Sequence, residues 1–241
     1  MTTATTAGIQ YRFTRCVTDP AVVGEALSKP NYGLNTDAPR EIVMSDRHEL
    51  ADNLGVPVVW MRQIHSDIVE VVDETHSSHE NSITADAVIT RSPVALAVQV
   101  ADCVPVLLWD EATGTIGAVH AGRAGVEKAI VAKAVSTMLS MGCSTRDIVA
   151  AVGPSICGRC YEVGDDVFET AVSKRPELES RTSWGTRSLD IRAGVLKDLE
   201  TCGVTNVIQD DRCTFESAHL NSYRRNPRCG RQIGLVVNRK L

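Results

Sequence analysis

Residues 100–125 constrain the fold more than any other stretch, because two apolar runs flank a turn signal there. The turn is Glu111-Ala-Thr-Gly114, and residues 106–110 and 115–120 on either side are dominated by branched and aromatic side chains. Alternating apolar runs around a Gly-containing turn predict a buried antiparallel hairpin. The chain is therefore expected to contain a sheet that is covered on both faces.

The pairing of this hairpin places a cysteine and a histidine on one face. If the loop has two or four residues, Asp110 faces Thr115 and Pro105 faces His120. Cys103 precedes Pro105 by two positions, so its side chain points to the face of His120, about 7 Å away between Cα atoms. That separation suits two ligands of one metal ion, or a thiol–imidazole pair.

His65 is a third candidate ligand. It lies in Met61-Arg-Gln-Ile-His-Ser-Asp67, where an apolar strand turns polar. Together with Cys103 and His120 it forms a Cys/His/His set, the pattern of catalytic zinc sites that keep a fourth position open for water or substrate. Thiolate and imidazole favour zinc, with copper as the alternative, over magnesium or calcium.

Asp102 and the turn at Ala121-Gly122 lie beside this set. A buried acid and unpaired backbone N–H groups are costly in a core but useful for holding an anion. We therefore predict a reactive site in preference to a core cysteine with a satisfied histidine. The remaining histidines, at positions 48, 76, 79 and 219, lie in polar sequence and are expected to be solvated.

The chain has eight cysteines, and nothing in its sequence indicates secretion, so most are expected to be thiols. Cys157-Gly-Arg-Cys160 is the only C-x-x-C sequence. Without a second pair it is a weak signal for a metal or redox site. We expect these two cysteines to be small buried hydrophobic residues.

Periodicity predicts an α+β fold with a mixed sheet flanked by helices. Strands are predicted near residues 11–16, 56–61, 68–73, 85–90, 94–101, 106–110, 115–120, 147–152, 206–209 and 232–237, and helices at 39–54, 125–141, 163–174 and 189–202. Several strands precede the helix at 125–141, which argues against a doubly wound parallel sheet. We expect a single domain over residues 11–241 behind a disordered tail at 1–10, with a flexible loop at 175–188.

Charge and motifs exclude several classes of function. The net charge is −5 and no long basic run occurs, so neither nucleic acid nor a membrane surface is an expected partner. The first residues resemble no secretory signal, which favours a cytoplasmic protein. The chain lacks the H-E-x-x-H, G-x-S-x-G, P-loop and G-x-G-x-x-G motifs.

Five groups of motifs, taken in order, resemble the YfiH/laccase-domain family, whose older name is multi-copper polyphenol oxidoreductase laccase. They are Arg62-Gln-Ile-His65, Ala101-Asp-Cys-Val-Pro105, His120-Ala-Gly-Arg-Ala-Gly125, Gly153-Pro-Ser-Ile with Tyr161-Glu-Val-Gly164, and Ser222-Tyr-Arg-Arg225 with Gly230-Arg-Gln232. The resemblance extends from about residue 31 to residue 232. It implies an α+β fold shared with the catalytic domain of a cysteine-dependent bacterial toxin.

The resemblance also implies a zinc ion held by two histidines and one cysteine, which correspond to His65, Cys103 and His120. We assign catalytic roles to Cys103, His120 and Asp102, the last as the acid nearest in sequence. Residues in or near the motifs are expected to contact substrate, with the arginines as anion donors: Asn31, Arg62, Gln63, Arg123 and Arg231.

The activities of the family imply a zinc-dependent enzyme that acts on purine nucleosides. They include phosphorolysis of adenosine, inosine and methylthioadenosine, deamination of adenosine, and trimming of misincorporated serine from peptidoglycan precursors. Purine nucleoside and phosphate are thus the expected small-molecule partners. Copper-dependent oxidation of phenols is a weaker alternative, because a multicopper site needs many histidines and the chain has six.

Two further alternatives use the same residues differently. A cysteine hydrolase would use Cys103 as nucleophile and His120 as its base. A non-catalytic module would bind metal or nucleoside without turnover. This chain has Arg123-Ala124 where the family usually has Trp-Arg. It therefore lacks an aromatic side chain that could stack on a purine base, and the loss of such a stack weakens binding by roughly 1–3 kcal/mol.

Overall fold

The computed structural model describes residues 2–6, 8–15 and 30–240. It contains two mixed six-stranded sheets. In spatial order the first sheet consists of β1 (Thr2–Thr6), β2 (Ile9–Phe13), β14 (Gln232–Asn238), β7 (Ala95–Val100), β3 (Val58–Arg62) and β5 (Ile83–Thr84). The second consists of β13 (Asn206–Gln209), β10 (Ile148–Val152), β8 (Val104–Asp110), β9 (Thr115–Ala121), β6 (Ala87–Thr90) and β4 (Val69–Val71).

Helices cover the outer faces of both sheets. They are α1 (Arg40–Leu54), α2 (Arg123–Glu127), α3 (Ile130–Ser140), α4 (Asp165–Lys174) and α5 (Ile191–Thr201), with short 3-10 turns at Glu74–His76 and Pro176–Leu178. A two-stranded ribbon is formed by β11 (Glu179–Arg181) and β12 (Arg187–Leu189). The order of layers is helix, sheet, sheet and helices, which confirms the predicted α+β class. Within the described part of the chain, no helix is long and apolar enough to cross a membrane.

Strand β8 shows how the core is divided. Val104, Val106 and Leu108 face the helices, whereas Leu107 and Trp109 face the other sheet. This alternation follows from the two-residue period of a strand, and both faces are apolar because both are covered. The layer between the sheets is closed by aromatic contacts, such as the stacked rings of Tyr11 and Trp109 with centroids 4.9 Å apart.

Helix α1 covers the outer face of the first sheet. Val43, Arg47 and Leu50 are its buried residues, at the spacing that places side chains on one helical face. The buried Arg47 guanidinium lies 4.0 Å from the ring centroid of Trp60 on β3. Burial lowers the pKa of Arg47 to about 9, and a coulombic contribution from Arg40 adds to the decrease.

Three predictions about local structure were wrong. Residues 2–6 belong to β1, which pairs with β2, although a disordered tail was expected at 1–10; threonine has a high β-propensity and the pairing extends the sheet. The predicted helix at 125–141 is two helices, α2 and α3, separated by Ala129 with φ of 56°. The expected flexible loop at 175–188 contains the β11–β12 ribbon. Cys16, the predicted end of the first strand, lies outside the described residues.

Candidate metal centre

The β8–β9 hairpin positions two of the three predicted ligands. Asp110 pairs with Thr115 and Pro105 pairs with His120, which confirms the register expected from the turn. His120 is buried and points into the layer between the two sheets. Cys103 precedes β8 and packs at the edge of the same layer.

The third ligand comes from the other sheet. His65 follows the end of β3 and has a φ of 59°, an unfavourable left-handed value for a residue with a side chain. Its Nε2 lies 3.8 Å from the Sγ of Cys103, and its ring meets the ring of His120 edge to face at 4.8 Å. The site therefore lies where the ends of the two sheets meet.

The donor set fits a metal ion. One ligand atom from each of His65, Cys103 and His120 lies within 4.8 Å of the others. Tetrahedral zinc, with bonds of about 2.0–2.3 Å, requires two nitrogens and one sulfur about 3.3–3.6 Å apart, so a contraction of about 1.5 Å at most completes the set. Three ligands leave a fourth position open. The structure thus brings all three predicted ligands together.

Asp86 orients this set, and sequence analysis missed it. Its fully buried carboxylate accepts hydrogen bonds from the backbone N–H groups of Ile64, His65 and Ser66, from the Ser66 hydroxyl, and from His120 Nδ1 at 2.8 Å. Burial opposes ionisation, but the bonds from His120 and Ser66 outweigh it and lower the pKa of Asp86 to about 2. The available signal was an acid at the start of an apolar run, residues 85–90.

The bond to Asp86 determines which nitrogen of His120 faces the site. Because Nδ1 donates to the carboxylate, Nε2 is the nitrogen available to a metal. Burial lowers the basicity of His120, yet the neighbouring Cys103 and Asp86 outweigh it and raise its pKa to about 9. Burial likewise opposes ionisation of Cys103, but His120 lowers the thiol pKa to about 6. The cysteine is therefore poised as a thiolate, the form that binds metals.

Gly122 allows the three ligands to approach each other. A Cβ at this position would lie 2.7 Å from His65 Cδ2, 3.3 Å from Cys103 Sγ and 3.4 Å from His120 Cε1. We therefore expect Gly122→Ala to displace the His65 ring and to reduce metal content measured by elemental analysis. Gly164→Ala is the matched control, because a Cβ there meets no atom within 4 Å. Full metal content in Gly122→Ala would contradict the requirement for a glycine at this position.

Asp102 contributes to structure at the rim of the site. It has a φ of 91°, and its two carboxylate oxygens accept hydrogen bonds from Thr214 Oγ1 at 2.6 Å and from the Arg224 N–H at 2.7 Å. Its backbone carbonyl accepts from Ile156. These bonds join the strand end that carries Cys103 to two distant loops.

A cavity of about 560 Å³ opens above the ligands. Its wall carries three arginines, Arg123, Arg224 and Arg231, so it favours an anionic group. Arg123 forms an ion pair with Glu127 in α2. Because α2 is only five residues long, these guanidinium groups, rather than the predicted helix terminus, supply the positive charge.

The other predicted substrate residues divide into two groups. Gln63 lines the cavity, but its amide bonds both the carbonyl and the N–H of Gln99. Asn31 and Arg62 are not among the residues that line it. The Asn31 side chain is buried and accepts from the N–H groups of Gly33 and Arg231, so it supports the wall from behind. Arg62 is exposed at the end of β3.

Two tyrosines that sequence analysis did not select also line the cavity. Tyr161 lies under the Arg224 guanidinium, 5.2 Å from its ring centroid, and burial raises the pKa of its hydroxyl. Tyr223 lies 5.8 Å from the Arg231 guanidinium and is 53% exposed. Both tyrosines belong to the family motifs quoted above, and their place in those motifs was the only indication in the sequence that they lie at the site.

Known proteins share this architecture. The family model described as multi-copper polyphenol oxidoreductase laccase matches residues 17–239. A purine nucleoside phosphorylase of Corynebacterium glutamicum is 42% identical over 210 residues, which cover 86% of this chain and 85% of that protein. A purine nucleoside phosphorylase of Mycobacterium tuberculosis is 38% identical over 237 residues, covering 96% and 94%. The crystal structure of YlmD from Geobacillus stearothermophilus has a TM-score of 0.85 at 26% identity, covering 97% and 93%.

These similarities confirm the predicted family, and relatives named as enzymes match most of the chain, as expected for an enzyme. The match also includes the ligand set, the cavity wall and nearly all strands of both sheets. Because the family model matches far more than half of the chain, the chain belongs to the multi-copper polyphenol oxidoreductase laccase family, also called the laccase-domain or YfiH family.

Proposed function

We propose that this protein is a zinc-dependent purine nucleoside phosphorylase. The observation that carries the proposal is an open Cys/His/His set at one end of a cavity whose wall also holds three arginines and two tyrosines. The relatives named purine nucleoside phosphorylase support the same assignment. The substrates we propose are adenosine, inosine and methylthioadenosine, with deamination of adenosine as a second reaction at the same centre.

Phosphate is assigned to the arginine side of the cavity. Arg123, Arg224 and Arg231 bring three positive charges to a wall whose carboxylate, Asp102, already accepts two hydrogen bonds. Guanidinium groups match phosphate oxygens in geometry as well as charge. A phosphate held there is oriented towards the nucleoside before reaction, which lowers the entropic part of the barrier.

The nucleoside base is assigned to Tyr161 and Tyr223. Aromatic rings bind bases by stacking, and each such contact contributes roughly 1–3 kcal/mol. Tyr223 is half exposed at the rim of the cavity, so part of its surface is accessible to a ligand. These tyrosines supply aromatic surface that the Arg123-Ala124 sequence lacks.

Zinc held by His65, Cys103 and His120 would supply a Lewis acid at its open position. The protein groups hold that position in place: Asp86 keeps the Nδ1 proton of His120, and the Asp86 bond to the His65 N–H stabilises the left-handed backbone there. In phosphorolysis a phosphate oxygen forms a bond to the ribose C1′ while the C1′–N9 bond breaks. The proton of the attacking hydrogen phosphate is transferred to the base, which leaves as the neutral purine, and ribose 1-phosphate remains.

Phosphate dependence tests this reaction directly. We expect the purified, metal-loaded protein to convert inosine to hypoxanthine and ribose 1-phosphate, and adenosine to adenine and ribose 1-phosphate, as measured by chromatography. Omission of phosphate should stop release of the base, because phosphate oxygen is the nucleophile. Equal release of base with and without phosphate would contradict phosphorolysis and indicate hydrolysis.

The arginine side can be tested separately. We expect Arg123→Ala to raise the Michaelis constant for phosphate by roughly 10- to 100-fold, since a hydrogen bond to a charged group contributes about 1.5–3 kcal/mol. Arg62→Ala is the matched control, because Arg62 is exposed and outside the cavity wall. An equal change in both variants would show a general effect of net charge and contradict the assignment of Arg123.

A cysteine hydrolase is the second candidate, and one observation favours it. The thiol of Cys103, the imidazole of His120 and the carboxylate of Asp86 are arranged as nucleophile, base and orienting acid. The two candidates differ in their response to a chelator. Removal of the metal should stop phosphorolysis, whereas it would expose Cys103 and increase its reactivity in a hydrolase.

A further inference from the structure

Outside the candidate metal centre, a second group of metal-binding side chains lies on two loops. The first loop, Cys157-Gly-Arg-Cys160, follows β10, and the second, Cys213-Thr-Phe-Glu216, follows β13. Each loop offers two side chains three positions apart. On its own the C-x-x-C sequence was a weak signal, and its partner loop lies 56 residues away in sequence.

The fold brings these two loops into direct contact. The N–H of Cys157 donates to Cys213 Sγ at 3.4 Å, and Cys160 Sγ donates to Glu216 Oε1 at 3.4 Å. Ser155 and Cys213 form a β-bridge, to which the Thr214 N–H adds a bond to the Ser155 carbonyl at 3.1 Å. Four potential ligand atoms from the two loops therefore lie within 4.8 Å of one another.

We propose that this cluster is a second, structural metal site for Zn²⁺ or a similar thiophilic divalent cation, with four ligands: Cys157, Cys160, Cys213 and Glu216. Pairs of ligands with short spacing on two converging loops are the usual arrangement of closed tetrahedral zinc sites. Each thiol releases its proton to solvent when it binds the ion.

The dimensions of the cluster fit a zinc ion. Zn–S bonds of about 2.3 Å place tetrahedral sulfur ligands about 3.8 Å apart, so a contraction of about 1 Å at most is needed. Cys160 and Cys213 are buried, which excludes competing water from the sulfur side. Glu216 is exposed at the rim, so an ion can enter from solvent on that side.

Neither a disulfide nor simple packing explains the whole cluster. A disulfide between two of the sulfurs would leave the third thiol and the carboxylate unused. Cysteines that act only as small hydrophobic residues do not bring a carboxylate to their sulfur atoms, as the contact between Cys160 and Glu216 does. The second loop is also held by Arg225, whose Nη1 donates to the carbonyls of Thr214, Phe215 and Ser217. The Arg225 guanidinium therefore adds a positive charge to the second loop, and this charge would partly balance the three thiolates that form when the ion binds.

The second site would stabilise one wall of the cavity. Ile156 and Tyr161, which line the cavity, flank the first loop. Thr214 on the second loop donates its hydroxyl hydrogen to Asp102, beside Cys103. An ion that joins the two loops would therefore hold Tyr161 and Asp102 in register without touching substrate.

Metal stoichiometry tests the proposal independently of activity. Protein loaded with Zn²⁺ and freed of excess ion by gel filtration should contain two equivalents per chain by elemental analysis. Cys103→Ser and Cys160→Ser should each retain one equivalent, and the double variant none. Cys202→Ser, at the end of α5 and outside both clusters, should retain both. If Cys160→Ser does not fold, Glu216→Gln should release one zinc to a chelator at least tenfold faster than the parent protein.

Other results would contradict the proposed second metal site. The proposal fails if Cys160→Ser or Glu216→Gln retains the zinc content and release rate of the parent, or if Cys103→Ser alone removes all metal. A disulfide located by peptide mapping under non-reducing conditions between two of Cys157, Cys160 and Cys213 would also refute it. Failure of phosphorolysis with two zinc equivalents present would reject the proposed function and leave this site standing.

Discussion

Cys103→Ser is expected to remove the metal at the candidate metal centre and to lower kcat/KM for phosphorolysis of inosine by about 10³-fold. The size of this decrease follows from the several kcal/mol by which a Lewis acid stabilises the charge that develops in the transition state. Each 1.36 kcal/mol corresponds to about a tenfold change in rate. Serine has nearly the shape of cysteine, but its hydroxyl is a poor ligand at neutral pH. Two histidines remain, and two ligands do not complete the usual three-ligand site.

The measurements are zinc content, copper content and steady-state rate on the same samples. Cys202→Ser is the control, because it changes a part-buried thiol outside both clusters. Unchanged metal content with lost activity would identify Cys103 as a nucleophile and favour the hydrolase. Copper in place of zinc would correct the metal identity and leave the ligand set intact.

Asp86→Ala is expected to lower the free energy of unfolding by about 3–5 kcal/mol and the metal affinity by about 10- to 100-fold. The stability loss arises because five donors, four of them from residues 64–66, lose a buried acceptor. The affinity loss arises because His120 loses the partner that presents Nε2 and His65 loses the bond that holds its left-handed backbone.

Asp110→Ala is the matched control for this experiment. Asp110 is also buried, lies at the turn of the β8–β9 hairpin, at the opposite end of β8 from Cys103, and accepts hydrogen bonds from the N–H groups of Ala112 and Thr113. It should reduce stability in denaturant titrations without changing metal affinity in chelator competition. If both variants lose metal equally, Asp86 acts only through global stability and its orienting role is wrong.

Local sequence patterns predicted most of the helices and strands. They failed where contacts between distant segments determine the local structure. The hairpin register followed from one turn, because a buried two-faced strand tolerates no slip of a single residue. The break between α2 and α3 was invisible, since apolar residues on both sides continue to face one sheet. Strand β1 was also missed, because its pairing with β2 is a contact between two segments that the sequence of residues 2–6 alone does not show.

The sequence by itself determined the fold class, the common facing of Cys103 and His120, and, through its motifs, the family and the three candidate ligands. Only the tertiary structure decided which residues support them. Asp86 reaches His120 across 34 positions, Tyr223 joins the cavity from the far end of the chain, and Cys213 meets Cys157 across 56 positions. Periodicity indicates which face of a helix or strand is buried. The contacts that orient a site depend on how separate helices, strands and loops pack together, and local sequence patterns do not show which distant segments meet.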